Sequence, residues 1–271
     1  SRISPEAPVP VVRAMSEENV LGGAANVANN LSSLGSKVLI TGVIGKDKEG
    51  GIIKDLLKEK KIEHSMIVED PTRPTTVKRR IVSGNNYQLL RLDYEKTVDV
   101  SEDIENRILD YAVKAIAKVD AVVISEYAKG AVTEKIARKV ILEAKKFNKP
   151  VIVDGKPNHA LYFKDCTIIT PNLREAIDMT GIDQDILEMG KKIVSMLDCN
   201  VFLTRGQEGI SVFEKKKGHT HVAPMKIAKV FDVIGAGDTV VAISALALAS
   251  GLNIVETAEI ANYGAGLVVQ K

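Results

Sequence analysis

The stretch DVIGAGDTVV, Asp232 to Val241, sets Gly235, Ala236 and Gly237 directly before a lone carboxylate, Asp238, and then runs apolar. Small residues at a helix start let consecutive backbone N–H groups turn inward, and the helix adds its positive end, so the segment can form an anion-binding cup. Asp238 in the first turn would then accept the proton of an attacking hydroxyl while the amides stabilise charge on the transferring group. The plainer reading is an N-terminal turn whose acid complements the helix dipole.

Three further stretches offer the same choice between chemistry and architecture. In TPNLREA, Asn172 and Glu175 are spaced to face one way on a first helical turn. An amide and an acid there suit water-mediated Mg²⁺ and phosphate binding, or else form a capping box. TRGQEG, 204–209, lets a nucleotide approach the backbone at its glycines, or makes a tight hairpin turn. LGGAANVANNL places Asn26 one turn beyond Gly22 and Gly23, which read as a lid hinge or as a helix start.

These residues need a frame. Short β-branched runs, KVLITGVIG (37–45), DAVVISE (120–126), PVIVD (150–154), CTIITP (166–171) and NVFLT (200–204), alternate with amphipathic stretches beginning near 22, 48, 101, 133 and 185. Such alternation predicts an α/β fold, a mostly parallel sheet covered by helices on both faces. Ligands of such sheets bind beyond the carboxyl ends of strands, which places Glu126, Asp154, Asn172 and Arg205 along one edge. Residues 1–13 and 75–95 break the pattern. The second reads as a hairpin turning at Gly84 to Asn86, and the two together predict a small β lid over a single domain spanning 1–271. ISVFEKKKGHTHVAP reads as another hairpin turning at Gly218.

Composition narrows the class. With 271 residues, 45% hydrophobic and 27% charged, the chain is that of an ordinary globular enzyme, and a net charge of +2 gives no reason to expect nucleic acid. Two cysteines, Cys166 and Cys199, fit neither a metal site nor a disulfide framework and point to a reducing cytoplasm. No apolar run is long enough for a membrane span, and no signal peptide is evident. The opening SRISPEAPVPVV has no initiator methionine and reads as part of a longer protein. There is no G-x-x-x-x-G-K-[ST] loop and no protein-kinase H-R-D or D-F-G set. His219 and His221 lack a third metal ligand and read as plain strand residues, and KDLLKEKK reads as a solvated helix face.

Taken in order, GG…N (22–26), NLRE (172–175), TRGQEG (204–209), GAGDT (235–239) and ANYGAG (261–266) resemble the ribokinase-like carbohydrate kinases of the phosphofructokinase-B type, over essentially the whole chain. Within that family the opening segment, the hairpin KRRIVSGNNYQLLRLDYE and SEYAKG resemble the kinase domain that phosphorylates D-glycero-β-D-manno-heptose 7-phosphate at its 1-hydroxyl, a domain often fused to a nucleotidyltransferase making ADP-heptose. The resemblance implies Asp238 as catalytic base and Gly235, Ala236 and Gly237 as the anion hole. It implies Asn172 and Glu175 for Mg²⁺ and the ATP phosphates, with Glu175 the metal residue. Thr204, Gly206, Gly209 and Asn262 would lie along the nucleotide, and Gly22, Gly23 and Asn26 would face the sugar. The acid this family usually carries on its first strand has no counterpart in the sequence.

A phosphorylated sugar calls for cations, and Lys78, Arg80 and Arg91 on the hairpin, with Lys129 and Lys156 after central strands, are the candidates. Strand alternation puts Lys78 and Arg80 on one face, where the other reading is a solvated lid surface. Glu126 is a candidate acceptor for a sugar hydroxyl. Three positions depart from the family pattern: Gly155 where proline is usual, Ile234 where threonine is common, and Glu126 in place of aspartate. The expectation is an ATP- and Mg²⁺-dependent sugar-phosphate kinase, cytoplasmic, with a homodimer formed through the lid. A kinase of the same family for ribose, fructose or a hexose phosphate and a non-catalytic nucleotide- or sugar-binding regulator remain open beside it.

Overall fold

The computed structural model describes residues 2–84, 87–225 and 235–270, so Asn85 and Asn86 of the lid turn, and Asp232 and Ile234, lie outside the described residues. The chain opens with a two-stranded pair, β1 (Arg2–Ile3) and β2 (Pro10–Val11), followed by α1 (Ala24–Ser33), β3 (Gly42–Gly45), α2 (Lys48–Glu59) and β4 (Ile67–Asp70). The hairpin β5 (Val77–Val82) and β6 (Gln88–Tyr94) comes next. Then helices and strands alternate through α3 (Glu102–Ile116), β7 (Val122–Ser125), α4 (Glu134–Lys146), β8 (Val151–Asp154), β9 (Ile168–Ile169), α5 (Leu173–Thr180), α6 (Ile186–Leu197) and β10 (Asn200–Thr204). A second hairpin, β11 (Ile210–Glu214) and β12 (Gly218–Val222), precedes α7 (Ala236–Ala249) and α8 (Ile254–Val268).

The main sheet has the order β12-β11-β10-β9-β8-β7, with β7 to β10 parallel and the last hairpin added antiparallel. Its parallel strands are mostly apolar on both faces because both are covered, while the edge strand β12 is largely exposed. Val151 and Val153 point into a core shared with α3, α4 and α6, while Ile152 between them packs on Val27 of α1 and Val241, Ala242 and Ala245 of α7. On β10, Val201 and Leu203 join the first core and Phe202 packs with Val240 of α7 and Ala258 and Ala261 of α8. Helix α7 buries residues around most of its circumference, including Val240, Val241, Ala242 and Ala245, as a helix packed between the sheet and α1 and α8 must. That burial fixes the position of its first turn.

The lid departs from expectation. Residues 1–13 do not join the 75–95 hairpin; each segment pairs with itself in a separate two-stranded sheet. Pro5 and Pro8 bend the first segment back so that Arg2 meets Val11 and Ile3 meets Pro10. The run 37–45 also forms less strand than anticipated, only Gly42–Gly45, and its partner is β4, a strand the sequence patterns did not single out.

Helix starts differ in a way that matters for function. Helices α2 to α6 and α8 are capped by Asp47, Ser101, Thr133, Asn172, Asp185 and Asn253, whose side chains accept first-turn N–H groups. Helices α1 and α7 begin at Gly23 (φ +54°) and Gly235 (φ +82°) with no side-chain cap. Their first amides are left for something else.

Gly155 sits against the fully buried ring of Phe163; a Cβ there would fall 2.3 Å from Phe163 Cε2. Gly155→Ala is therefore expected to cost roughly 1–3 kcal/mol by overpacking. In denaturant unfolding, adding Phe163→Leu should remove most of that extra cost; equal losses with and without the Phe163 change would show that the ring is not the obstacle.

Candidate active site

Three segments far apart in sequence meet at one carboxylate. Asp238, in the first turn of α7, accepts a hydrogen bond from Asn26 Nδ2 of α1 on Oδ2 (2.6 Å) and one from the Tyr127 hydroxyl on Oδ1 (3.0 Å). Gly235 and Gly23 lie in contact with this group, a Cβ on Gly235 falling 3.4 Å from Asn26 Nδ2 and one on Gly23 3.4 Å from Tyr127 Cε2, and both have the positive φ that favours glycine. Thr239 adds a second tie, accepting from Asn30 Nδ2 (3.4 Å) and donating to the Gly235 carbonyl (2.9 Å). The structure thus brings Asp238, Gly235, Gly23 and Asn26 together. Gly22, Ala236 and Gly237 flank them at the two helix starts, where a Cβ added at Gly22 or Gly237 would meet nothing within 4 Å.

Tyr127 was not singled out from sequence, although its neighbours Glu126 and Lys129 were. The available signal was an aromatic residue just past a strand end, next to Ala128 in the left-handed conformation (φ +53°). Burial, followed by the charges of Asp238 and Asp154, pushes the Tyr127 phenol well above its ordinary pKa, so it stays protonated and donates.

A second group of charges lies at the ends of β7 and β8. Glu126 is 2% exposed, and its carboxylate accepts the N–H groups of Ala128 and of Lys156 (3.0 Å), with His159 Nδ1 3.3 Å away. Both oxygens are engaged by the protein's own backbone, so its visible part is to shape the two loops. Lys156 stands 5.5 Å over the Tyr127 ring and reaches Glu175 Oε1 at 2.6 Å. Burial pulls its ammonium down, but Glu175, Asp154 and Glu126 outweigh this and hold it above its ordinary pKa. The other Glu175 oxygen accepts from Asn172 N (3.1 Å) while Asn172 accepts from Glu175 N (2.9 Å), so the capping box is formed in full. Both readings of NLRE are compatible: the cap fixes Glu175, and the cap leaves Oε1 facing Lys156.

The glycine turn TRGQEG is a single 3₁₀ turn between antiparallel strands. Thr204 bridges Asn172 across the sheet edge, Gly206 has φ +57°, and Gly209 has φ +81° with its α-carbon so close to Val222 that a Cβ would fall 2.2 Å from the Val222 carbonyl. Asn262 of α8 donates to the Ala223 carbonyl (2.8 Å), so Gly209 and Asn262 converge on the exit of β12.

The lid cations form their own network. Arg80 faces Arg91 and Lys78 faces Asp93 in the β5–β6 register, so all four share one side of the hairpin. Lys78 contacts Asp93 (3.1 Å) and Glu95 (3.4 Å), Arg91 contacts Asp93 (2.8 Å), and Lys129 contacts Glu95 (2.9 Å). Among the described residues Arg80 makes no ion pair. Arg91 first, and Lys78 with it, hold Asp93 below the usual carboxylate range, and Lys129 does so for Glu95. The loop carrying Lys129 is anchored by buried Arg73, which pairs with Asp70 (3.0 Å) and donates to the carbonyls of Lys129 and Val98. Neither acid, Asp93 nor Glu95, was anticipated. Lys156 does not join this group and serves Glu175 instead.

Comparison with known proteins follows the geometry. The pfkB family carbohydrate kinase model matches residues 2–271. The bifunctional protein HldE of Geobacter sulfurreducens is 38% identical over 275 residues, covering 100% of this chain and 56% of that protein. HldE of Gluconobacter oxydans is 39% identical over 276 residues, covering 100% and 57%. The chain spans about half the length of these curated relatives. Among solved structures, phosphofructokinase-2 from Escherichia coli, in its tetrameric inhibited form, superposes with a TM-score of 0.79 at 18% identity, over 97% of this chain and 87% of the other. Ribokinase of Arabidopsis thaliana, complexed with ribose and ATP, gives 0.75 at 21% identity, over 96% and 85%. The fold is the ribokinase-like α/β fold. No helix among the described residues is long and apolar enough to cross a membrane.

Asp154, at the end of β8, supplies a test of this charge arrangement. Burial first, and then the carboxylates of Glu175, Asp238 and Glu126, raise it from 3.8 to about 6, with Lys156 opposing. A carboxyl raised in the folded state binds more protons there than when unfolded, so its contribution to stability falls as pH rises from about 4 to about 6. Asp154→Asn should therefore be more stable than the parent at pH 8, by at most about 3 kcal/mol, with the gap closing towards pH 4. Thermal melts at the two pH values decide it; a gap that is independent of pH would refute the shift.

Proposed function

From the premise that the chain belongs to the pfkB family of carbohydrate kinases, we propose that it transfers the γ-phosphoryl group of ATP to D-glycero-β-D-manno-heptose 7-phosphate at O1. The observation that carries the phosphotransfer reading is Asp238, fixed by two donors at the start of a helix that lacks a side-chain cap. In the proposed reaction Asp238 takes the proton of the acceptor hydroxyl, the hydroxyl oxygen forms its bond to the γ-phosphorus, the bond from that phosphorus to the β,γ-bridging oxygen breaks, and ADP leaves. The first-turn amides at Gly235 to Gly237 balance the charge on the moving group.

The remaining assignments follow the family resemblance. Thr204, Gly206, Gly209 and Asn262 line the nucleotide, and Asn172 and Glu175 serve its phosphates. Mg²⁺ prefers hard oxygen donors and keeps several waters, and Glu175 would hold it through those waters, because its Oε1 faces the Lys156 ammonium and its Oε2 accepts from Asn172 N. The metal would supply charge neutralisation on the phosphates. Gly22, Gly23 and Asn26 lie on the sugar side. The 7-phosphate is taken by Lys78, Arg80, Arg91 and Lys129, whose partners Asp93 and Glu95 are too few to neutralise them. The heptose assignment is supported by the opening segment, the hairpin and SEYAKG, and by similarity to the HldE proteins. Such a reaction belongs in the cytoplasm, where ATP is available.

The domain reading is one kinase domain with the 75–95 hairpin as its lid. We propose that the lid also joins two copies, because Ile81, Leu90, Leu92 and Tyr94 share the side opposite the cations, and the last three of these are exposed. Leu90→Asp with Leu92→Asp should convert a dimer to a monomer in analytical ultracentrifugation; an unchanged sedimentation coefficient would put the interface elsewhere.

Incubation with ATP, Mg²⁺ and heptose 7-phosphate should yield the 1,7-bisphosphate by mass spectrometry, and Asp238→Asn should lower turnover at least about 100-fold with nucleotide binding retained. ADP release with ribose, fructose or a hexose phosphate but not with the heptose would transfer the assignment to that sugar. No ADP with any acceptor would favour a binding regulator.

A further inference from the structure

Tyr127 is held on every side by groups whose positions are set by other contacts. Its ring lies against Gly23, where a side chain would come within 3.4 Å, and beneath the Lys156 ammonium at 5.5 Å. Its backbone stands between Glu126, whose buried carboxylate binds the neighbouring Ala128 and Lys156 amides, and Ala128 in the left-handed conformation. The phenol has little freedom to leave its contact with Asp238.

We infer that Tyr127 is a positioning residue for phosphoryl transfer, its hydroxyl fixing one oxygen of Asp238 while Asn26 fixes the other, so that the carboxylate is aimed at the acceptor hydroxyl before the acceptor arrives. A carboxylate with one donor on each oxygen keeps an acceptor direction open on each. It loses rotation about its Cβ–Cγ bond, the freedom that would otherwise have to be removed in reaching the transition state. Tyr127 moves no proton itself. Burial among carboxylates keeps its phenol neutral, so it donates to Asp238 before the transfer and while Asp238 takes on the proton. Asn26 cannot do this alone, because a single donor on Oδ2 leaves the Oδ1 lone pairs free to turn.

The inference rests on the reading of Asp238 as the base, and the experiment separates the two. Tyr127→Phe keeps the ring against Gly23 and under Lys156 and deletes only the hydroxyl. With the acceptor that gives the fastest ADP release, kcat should fall about 10- to 100-fold, the value of a hydrogen bond to a charged group. KM for ATP and for the sugar should stay within about twofold, as expected for an interaction that matters only in the transition state. The melting temperature should stay within about 2 °C, and where it does not, the double variant with Asp238→Asn gives the answer. In that background Tyr127→Phe should cost no further turnover, since there is no base left to aim. Full kcat in Tyr127→Phe beside an inactive Asp238→Asn would overturn the tyrosine's role alone. An equal loss in the Asp238→Asn background would reduce Tyr127 to packing. Near-normal turnover in Asp238→Asn would overturn the base and this inference with it.

Discussion

The arrangement depends on one carboxylate that cannot be placed by its own helix. Asp238 sits at the start of α7, and its two oxygens are held from α1, 212 residues earlier, and from the loop after β7, 111 residues earlier. For those three segments to meet, α7 must be packed between the sheet and two other helices, and both α1 and α7 must begin on glycine. A side-chain cap at either helix would occupy the amides and the space that the site uses. The apolar run after Asp238 is thus the means of holding the acid still: Val240, Val241, Ala242 and Ala245 are almost wholly buried.

Around this point the protein keeps more acid than base. Asp154, Glu126 and Glu175 act together on the ammonium of Lys156, and Glu175, Asp238 and Glu126 in turn raise Asp154. Three of these carboxylates are held in place by different partners. Backbone amides hold Glu126, the capping box and Lys156 hold Glu175, and Asn26 and Tyr127 hold Asp238. Asp154 has the least support and carries the shift. In the proposed reaction this imbalance is useful, because a cation arriving with the nucleotide phosphates would find hard oxygen atoms and excess negative charge already in place.

Much of this was legible in the sequence because it is written in local patterns. Alternating β-branched runs and amphipathic stretches predict the parallel sheet and its covering helices, and the rule that ligands bind beyond the carboxyl ends of parallel strands points to one edge for the candidate site. Asn172 and Glu175 form the capping box that their spacing allows. What escaped depends on long-range packing. Tyr127 has no periodic signature, since its role arises from the meeting of a loop with α1 and α7. Strand β4 is too short and too polar, Ile67–Asp70, to stand out before its pairing with β3 is seen. Lys156 was grouped with the lid cations by charge alone, and only its 2.6 Å contact with Glu175 moves it to the other side of the site. The expected joint sheet of 1–13 and 75–95 failed because proline bends favour local pairing over distant pairing.

The hairpin β5–β6 concentrates positive charge on one side. Arg80 and Arg91 are directly opposite in register, a placement that disfavours an isolated hairpin because like charges face each other. Asp93 and Glu95 relieve part of that repulsion by pairing with Lys78, Arg91 and Lys129, but all of these groups stay at least partly in contact with solvent. Exposed pairs of this kind are worth little, about 1 kcal/mol or less each, so they are easily exchanged. A phosphate dianion brings two charges and several acceptor oxygens and can be held bidentately by arginine, which two separate carboxylates in fixed strand positions cannot match. The repulsion between Arg80 and Arg91 then becomes attraction to a shared partner. A neutral sugar would gain none of this, so in the proposed reaction the same four cations would favour a phosphorylated acceptor.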